Sequence, residues 1–158
     1  MSSPPAAAEQ LQDRLLRLEG ICEIERLVAE YSHGADKRDL RRFLAVWHED
    51  ALWDVGATVF RGRDEIAQAI QRQWAMQPLM THWTANMSIS LPPGGTQAHG
   101  MVDTDTLTQL SSGEWLQSAG TYHDVLELRQ GRWGFVERRA ELHFSTTLDS
   151  RTVRSTNS

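Results

Sequence analysis

Apolar residues recur at spacings of three and four from Leu15 through Leu18, Ile21, Ile24, Leu27 and Val28 to Tyr31. That is the stripe one face of an α-helix leaves in a sequence. It predicts a first helix from about Leu11 to about His33, with Gly20 as a bend or a break and Gly34 as the C-terminal stop. A short second helix is expected from about Asp39 to Trp47, its apolar side formed by Leu40, Phe43, Leu44 and Trp47. "ALWDVG" reads as a strand and "FRGRDEIAQAIQRQW" as a third helix. Asp64 and Glu65 sit in that helix's first turn, where the macrodipole favours them. Ile66, Ile70 and Trp74 share one of its faces, and Pro78 ends the segment.

From Thr81 the pattern changes to alternation. "THWTANMSISL" puts Trp83, Ala85, Met87, Ile89 and Leu91 on one face of a strand and His82, Thr84, Asn86, Ser88 and Ser90 on the other. Three more strands follow, "TQAHGMVDTDTLTQL", "WLQSAGTYHDVLELR" and "WGFVERRAELHFSTTL", separated by the turns "PPGG", "SSGE" and "QGR". Three helices with one strand interposed, then a four-strand meander, predict an α+β fold with helices on one face of a mostly antiparallel sheet. Residues 10–148 form the expected domain, with a Ser-, Pro- and Ala-rich tail at residues 1–9 and a tail at 149–158 that is polar and without period.

Composition narrows the class. A chain of 158 residues that is 40% hydrophobic and 23% charged has the balance of one soluble globular domain. A net charge of −5 argues against a nucleic-acid partner, whose phosphates need a basic surface. No apolar run approaches the roughly 20 residues that span a bilayer, so no membrane partner is expected. "MSSPPAAAEQ" lacks the basic and apolar regions of a secretory signal, and a lone Cys22 excludes an internal disulfide framework; both suit the cytoplasm. Its place in a helix makes Cys22 an expected small buried hydrophobe. Six tryptophans in so short a chain call for a core, an interface or an apolar pocket to fill.

The familiar chemical motifs are missing. No HxH or HExxH pattern supports a metal site, and there is no GxGxxG, P-loop or GxSxG elbow. His33 and His48, which flank helix ends, read as surface or capping residues. Two features remain. The polar face around His82 fits a site or plain solvent exposure equally, and Asp36 is a carboxylate set close against the first helix's apolar stripe.

Tyr31, the "ADKRD" segment around Asp36, "VWHEDALWDVG", "FRGRDEI", "THWTAN" and "GTYHDVLELRQGRWGFVERR" together resemble the SnoaL-like branch of the nuclear-transport-factor-2-like superfamily, from about Ile21 to Leu148. Within it the chain is similar to cofactor-independent lyases: hexachlorocyclohexane dehydrochlorinase, scytalone dehydratase and bile-acid 7α-dehydratase. The resemblance implies a cone-shaped α+β roll and an Asp–His dyad made by Asp36 and His82. Burying a lone carboxylate costs several kcal/mol, so Asp36 is expected to have His82 as its mate. An imidazole oriented by a carboxylate is a general base suited to neutral pH.

The resemblance further implies Tyr31 as a phenolic donor, although an aromatic filling the helix face explains it equally well. It makes Arg138 the stabiliser of a leaving anion, with Arg139 in its place if a one-residue bulge swaps them. His123, Trp53 and Asn86 become substrate-binding residues, and Asp105 matches a further dehydratase acid. The dehydrochlorinases carry a lysine where Tyr31 stands, which favours loss of water over loss of halide. The expected activity is elimination of water from a hydrophobic cyclic or steroid-like hydroxy-ketone, without metal or nucleotide cofactor, by a homotrimer. An isomerase or cyclase on the same fold, and a ligand-binding module without catalysis, are the alternatives.

Overall fold

A computed structural model describes residues 4–149. Helix α1 spans Pro4–Asp36, α2 Leu40–Ala45 and α3 Gly62–Met76; strands are β1 Trp47–Asp54, β2 Val59–Arg61, β3 Leu79–Ser90, β4 Gln97–Gln109, β5 Trp115–Arg129 and β6 Arg132–Leu148. The six strands form one sheet in the order β2-β1-β6-β5-β4-β3. β3 to β6 are the expected antiparallel meander, while β1 joins the far side of β6 in parallel and makes the sheet mixed.

α1 departs from its expected form at its start and at its middle. It begins at Pro4, inside the segment expected as a tail; the rest of the two expected tails, residues 1–3 and 150–158, lies outside the described residues. The helix also runs unbroken through Gly20. A side chain there would place Cβ 3.0 Å from Leu91 Cδ2 and 3.3 Å from Trp133 Nε1, so glycine permits close approach to the sheet and does not bend the helix. N-terminal to Gly20 the side chains of Leu15 and Leu18 are exposed, and Arg17 Nε donates to the Leu91 carbonyl just after β3 at 2.7 Å; the core stripe of the helix is Ile24, Val28, Tyr31 and Ala35. Cys22 is exposed as well, contrary to its expected burial, because it lies off that stripe.

α1 ends against α2. A Cβ on Gly34 would come within 2.6 Å of the Phe43 amide nitrogen. The Asp39 carboxylate caps α2 by accepting the Arg42 N–H at 2.9 Å. α2 then stops at Ala45, so that Trp47 opens β1 and does not close a helix. His48 on β1 is buried, not a surface or capping residue: Arg132 Nη2 donates to its Nδ1 at 3.2 Å, and its Nε2–H donates to the Glu127 carbonyl at 2.9 Å.

The core lies between α1, α2, α3 and the inner face of the sheet. At its centre Tyr31, Phe43, Trp47, Trp53 and Phe135 pack edge to face or tilted, with centroids 5.2–6.5 Å apart. Burial of each such ring contributes about 1.5–3 kcal/mol. The alternation in β3 breaks at Asn86, whose φ of 49° accompanies a register shift between Ala85 and Ser88. Met80 and His82 therefore face the helices before the bulge, and Met87 and Ile89 after it. Trp83, read as part of one continuous apolar face, is turned outward and 56% exposed. Among the described residues no helix is long and apolar enough to cross a membrane.

Candidate active site

Asp36 is the last residue of α1, and several contacts hold it there. The helix closes with Lys37 N–H donating to the His33 carbonyl and Asp39 N–H to that of Gly34, both at 3.0 Å. Arg38 takes the left-handed conformation that ends helices, with φ of 56°. Its Nη2 reaches the carbonyls of Trp74 (2.8 Å), Gln77 (3.1 Å) and Pro78 (2.7 Å). The cation thus sits on the negative end of α3 and ties that end to α1. Trp74 Nε1–H adds a bond to the Ala35 carbonyl at 2.8 Å. These links carry the chain from α3 into β3 beside Asp36.

His82 completes the arrangement with two of its groups. Its backbone N–H donates to Asp36 Oδ2 at 2.9 Å, and its ring Nδ1 lies 2.5 Å from Asp36 Oδ1. The side chains are nearly sealed, 9% exposed for His82 and 7% for Asp36. A carboxylate at a helix C-terminus opposes the macrodipole, so these donors offset both that opposition and the loss of water. Nδ1–H donating to the carboxylate fixes the tautomer and leaves Nε2 with its lone pair.

His82 lines a cavity of about 640 Å³ that is bounded by α1, α3 and the sheet and opens to solvent. Trp53, Phe60, Val55 and Met76 give it an apolar wall, and Tyr31, Tyr122 and Thr106 also line it; the Tyr31 and Tyr122 side chains are hydrogen-bonded to each other, and Thr106 Oγ1 donates to the Ser118 carbonyl at 3.3 Å. Tyr31 stands edge-on to the imidazole, centroids 6.2 Å apart, and to the Tyr122 ring at 5.7 Å. Burial pushes the Tyr31 phenol well above its ordinary pKa, and neighbouring Tyr122 adds to the shift. Tyr122 is also raised, chiefly by burial, against the opposing influence of Arg138. Both phenols therefore remain proton donors at neutral pH.

Arg138 is not where the resemblance implied. It is fully buried behind the tyrosines, with its guanidinium carbon 4.2 Å from the Tyr31 and Phe135 ring centroids and 4.4 Å from that of Tyr122. Nε and Nη2 each donate to an Asp124 carboxylate oxygen at 2.7 Å. Burial works against its charge, but the paired carboxylate prevails and raises its pKa. The guanidinium does not line the cavity, and its charge is met by Asp124 before any ligand reaches it. It acts as a cationic prop for two phenols. Arg139 lies on the other face, 3.7 Å from Glu141.

The remaining expected contacts divide. Trp53 lines the cavity, and its Nε1–H is buried without a partner. His123 does not reach the cavity; it is bonded to Glu141 at 2.8 Å on the opposite face, because neighbouring Tyr122 takes the inward position. Asn86 also stands outside, exposed at the bulge and donating to Asp103 at 3.0 Å. Asp105 faces away too, held by Gln117, since its neighbour Thr106 points inward. Tyr122, Asp124 and Arg38 escaped the sequence reading. "GTYHD" marked the right segment, but choosing Tyr122 over His123 required the register. Among the described residues no group of three or more His, Cys, Asp or Glu side chains converges to hold a metal ion.

The γ-hexachlorocyclohexane dehydrochlorinase of Sphingobium indicum is 26% identical over 135 residues, 84% of this chain and 86% of that protein. A crystal structure of a dehydrochlorinase of this kind superposes with a TM-score of 0.80 at 26% identity, covering 86% of this chain and 94% of the other. A provisionally named scytalone dehydratase from Novosphingobium aromaticivorans shares the fold, with a TM-score of 0.76 at 20% identity over 89% and 93% of the two chains. A family profile described as a SnoaL-like domain matches residues 16–139, which takes in both members of the dyad and the strands that wall the cavity. This chain belongs to the SnoaL-like domain family.

Proposed function

We propose that the protein is a lyase that removes water from a hydrophobic cyclic hydroxy-ketone, with Asp36 and His82 as its general-base dyad. The observation that carries this reading is the 2.5 Å contact between Asp36 Oδ1 and His82 Nδ1 at the wall of a largely apolar cavity. Similarity to a dehydrochlorinase supports elimination as the reaction class. His82 Nε2 takes a proton from the carbon beside the ketone, and the C–H electrons pass into an enolate. Tyr31 and Tyr122 donate hydrogen bonds to the enolate oxygen. The electrons then form the carbon–carbon double bond as the C–O bond to the β-hydroxyl breaks, and the imidazolium returns its proton to the departing oxygen, releasing water. Asp36 stabilises the imidazolium between the two transfers. A positioned base of this kind contributes roughly 10²–10⁴ in rate, and oriented donors to the oxyanion contribute further.

The active form is proposed to be a homotrimer. Exposed Trp83 and Met101, carried on the sheet away from the helices, supply an apolar surface for a subunit contact. The function is tested by incubating the protein with a panel of cyclic β-hydroxy-ketones and following product mass. Loss of one water from a panel member, abolished in His82→Ala, is the expected result. A product of unchanged mass would make the enzyme an isomerase, and turnover undiminished in His82→Ala would remove the dyad from the chemistry.

A further inference from the structure

The cavity around His82 changes character from floor to mouth. Its floor presents the imidazole, the two phenols and Trp53, all largely buried. Its mouth is formed on one side by the C-terminal half of α3, which contributes Arg72, Gln73 and apolar Ala69 and Met76, and by Gln77 just after it. Arg72 is exposed, so its guanidinium stands where the cavity meets solvent. Among the described residues no carboxylate lines this cavity, and no hydrogen bond or ion pair engages the Arg72 guanidinium. Gln73 Nε2 donates to Gln77 Oε1 at 3.0 Å, which leaves the Gln77 amide as a further donor on the same wall. The chain as a whole carries a net charge of −5, a field that repels anions. A rim with one cation, amide donors and no acid reverses that field locally.

We propose that Arg72 binds an anionic group of the substrate, and that the substrate class is an apolar ring system carrying a carboxylate at its solvent-facing end. The inference rests on this cavity being the substrate site. A planar guanidinium matches a carboxylate with two parallel hydrogen bonds, and the apolar body of such a molecule lies along Ala69, Met76 and Trp53 toward His82. A neutral halocarbon would make no charge-assisted hydrogen bond with this cation.

The test uses 2-naphthylacetate and its neutral methyl ester as probes, titrated by calorimetry into the wild-type protein and into Arg72→Gln. Neither probe has a group to eliminate, so binding is read without chemistry, and failure here is separable from failure to dehydrate a hydroxy-ketone. The expected result is that the acid binds roughly fivefold more tightly than the ester to wild type, the size of a well-placed, partly exposed ion pair. Arg72→Gln should equalise the two, and raising salt from about 0.05 to about 0.5 M should weaken the acid alone. An acid-to-ester ratio unchanged by Arg72→Gln, or no preference for the acid in wild type (including failure of both probes to bind), overturns the proposal.

Discussion

One carboxylate of Asp36 holds His82 twice, through the backbone N–H at 2.9 Å and through ring Nδ1 at 2.5 Å. The first bond registers the strand against the end of α1; the second sets the imidazole's tautomer. Asp36→Asn retains the shape but lets an amide N–H face Nδ1, which favours the wrong tautomer. Activity on a hydroxy-ketone substrate should fall by about 10²–10⁴ while the fold persists. Steady-state kinetics beside circular dichroism checks this, and full activity in the variant would sink the dyad.

Arg138 and Asp124 are a buried pair whose halves depend on each other. Arg138→Met leaves the Asp124 carboxylate sealed without a partner and should cost about 3–5 kcal/mol in urea unfolding. Adding Asp124→Leu should recover much of that loss. If the double variant is no more stable than the single one, the pair is not coupled as its geometry indicates.

The raised tyrosine values carry a pH dependence whose sign follows from burial. Below the ordinary value of 10.0 both the folded and the unfolded chain keep these phenols protonated, and stability is fully present. Above it the unfolded chain ionises Tyr31 and Tyr122 while the fold keeps them neutral, so stability declines as pH rises toward the folded values. Urea midpoints should therefore drop above pH 10, and less steeply in Tyr31→Phe/Tyr122→Phe. Equal slopes for the two proteins would place the alkaline loss elsewhere.

Arg38 touches no cavity surface, yet it joins the end of α1 to the residues that lead into β3. Arg38→Ala should loosen the placement of Asp36 beside His82 and lower kcat by about tenfold, a penalty typical of small misplacement. Its KM should change little, because no cavity wall is lost. A raised KM with unchanged kcat would show that Arg38 acts on binding instead.

Cys22 lies on the solvent side of α1. An aromatic disulfide reagent should label it in the native protein at about the rate of an unfolded control, within tenfold. Labelling only after denaturant is added would restore the expected burial.

Local pattern carried a large part of this protein. The stripe of Ile24, Val28 and Tyr31, the break at Pro78 and the meander from β3 to β6 are legible because helical period, alternation and turn residues are short-range properties, whereas Gly34, expected as the stop of the first helix, lies inside it and the helix ends at Asp36. Asp36 and His82 were paired by resemblance, and their meeting across 46 residues of chain is a fact of the fold. What local pattern misjudged turns on contacts between segments. One extra residue at Asn86 reverses which side of β3 faces the helices, and neighbouring Tyr122 and His123 exchange roles with the choice of register. Arg138 reads as a ligand for an anion until Asp124, opposite it on β5, takes up its charge. The chain's own alternation states that residues differ in facing; only the packed sheet decides which face is in, because that choice is made by what the other segments bury.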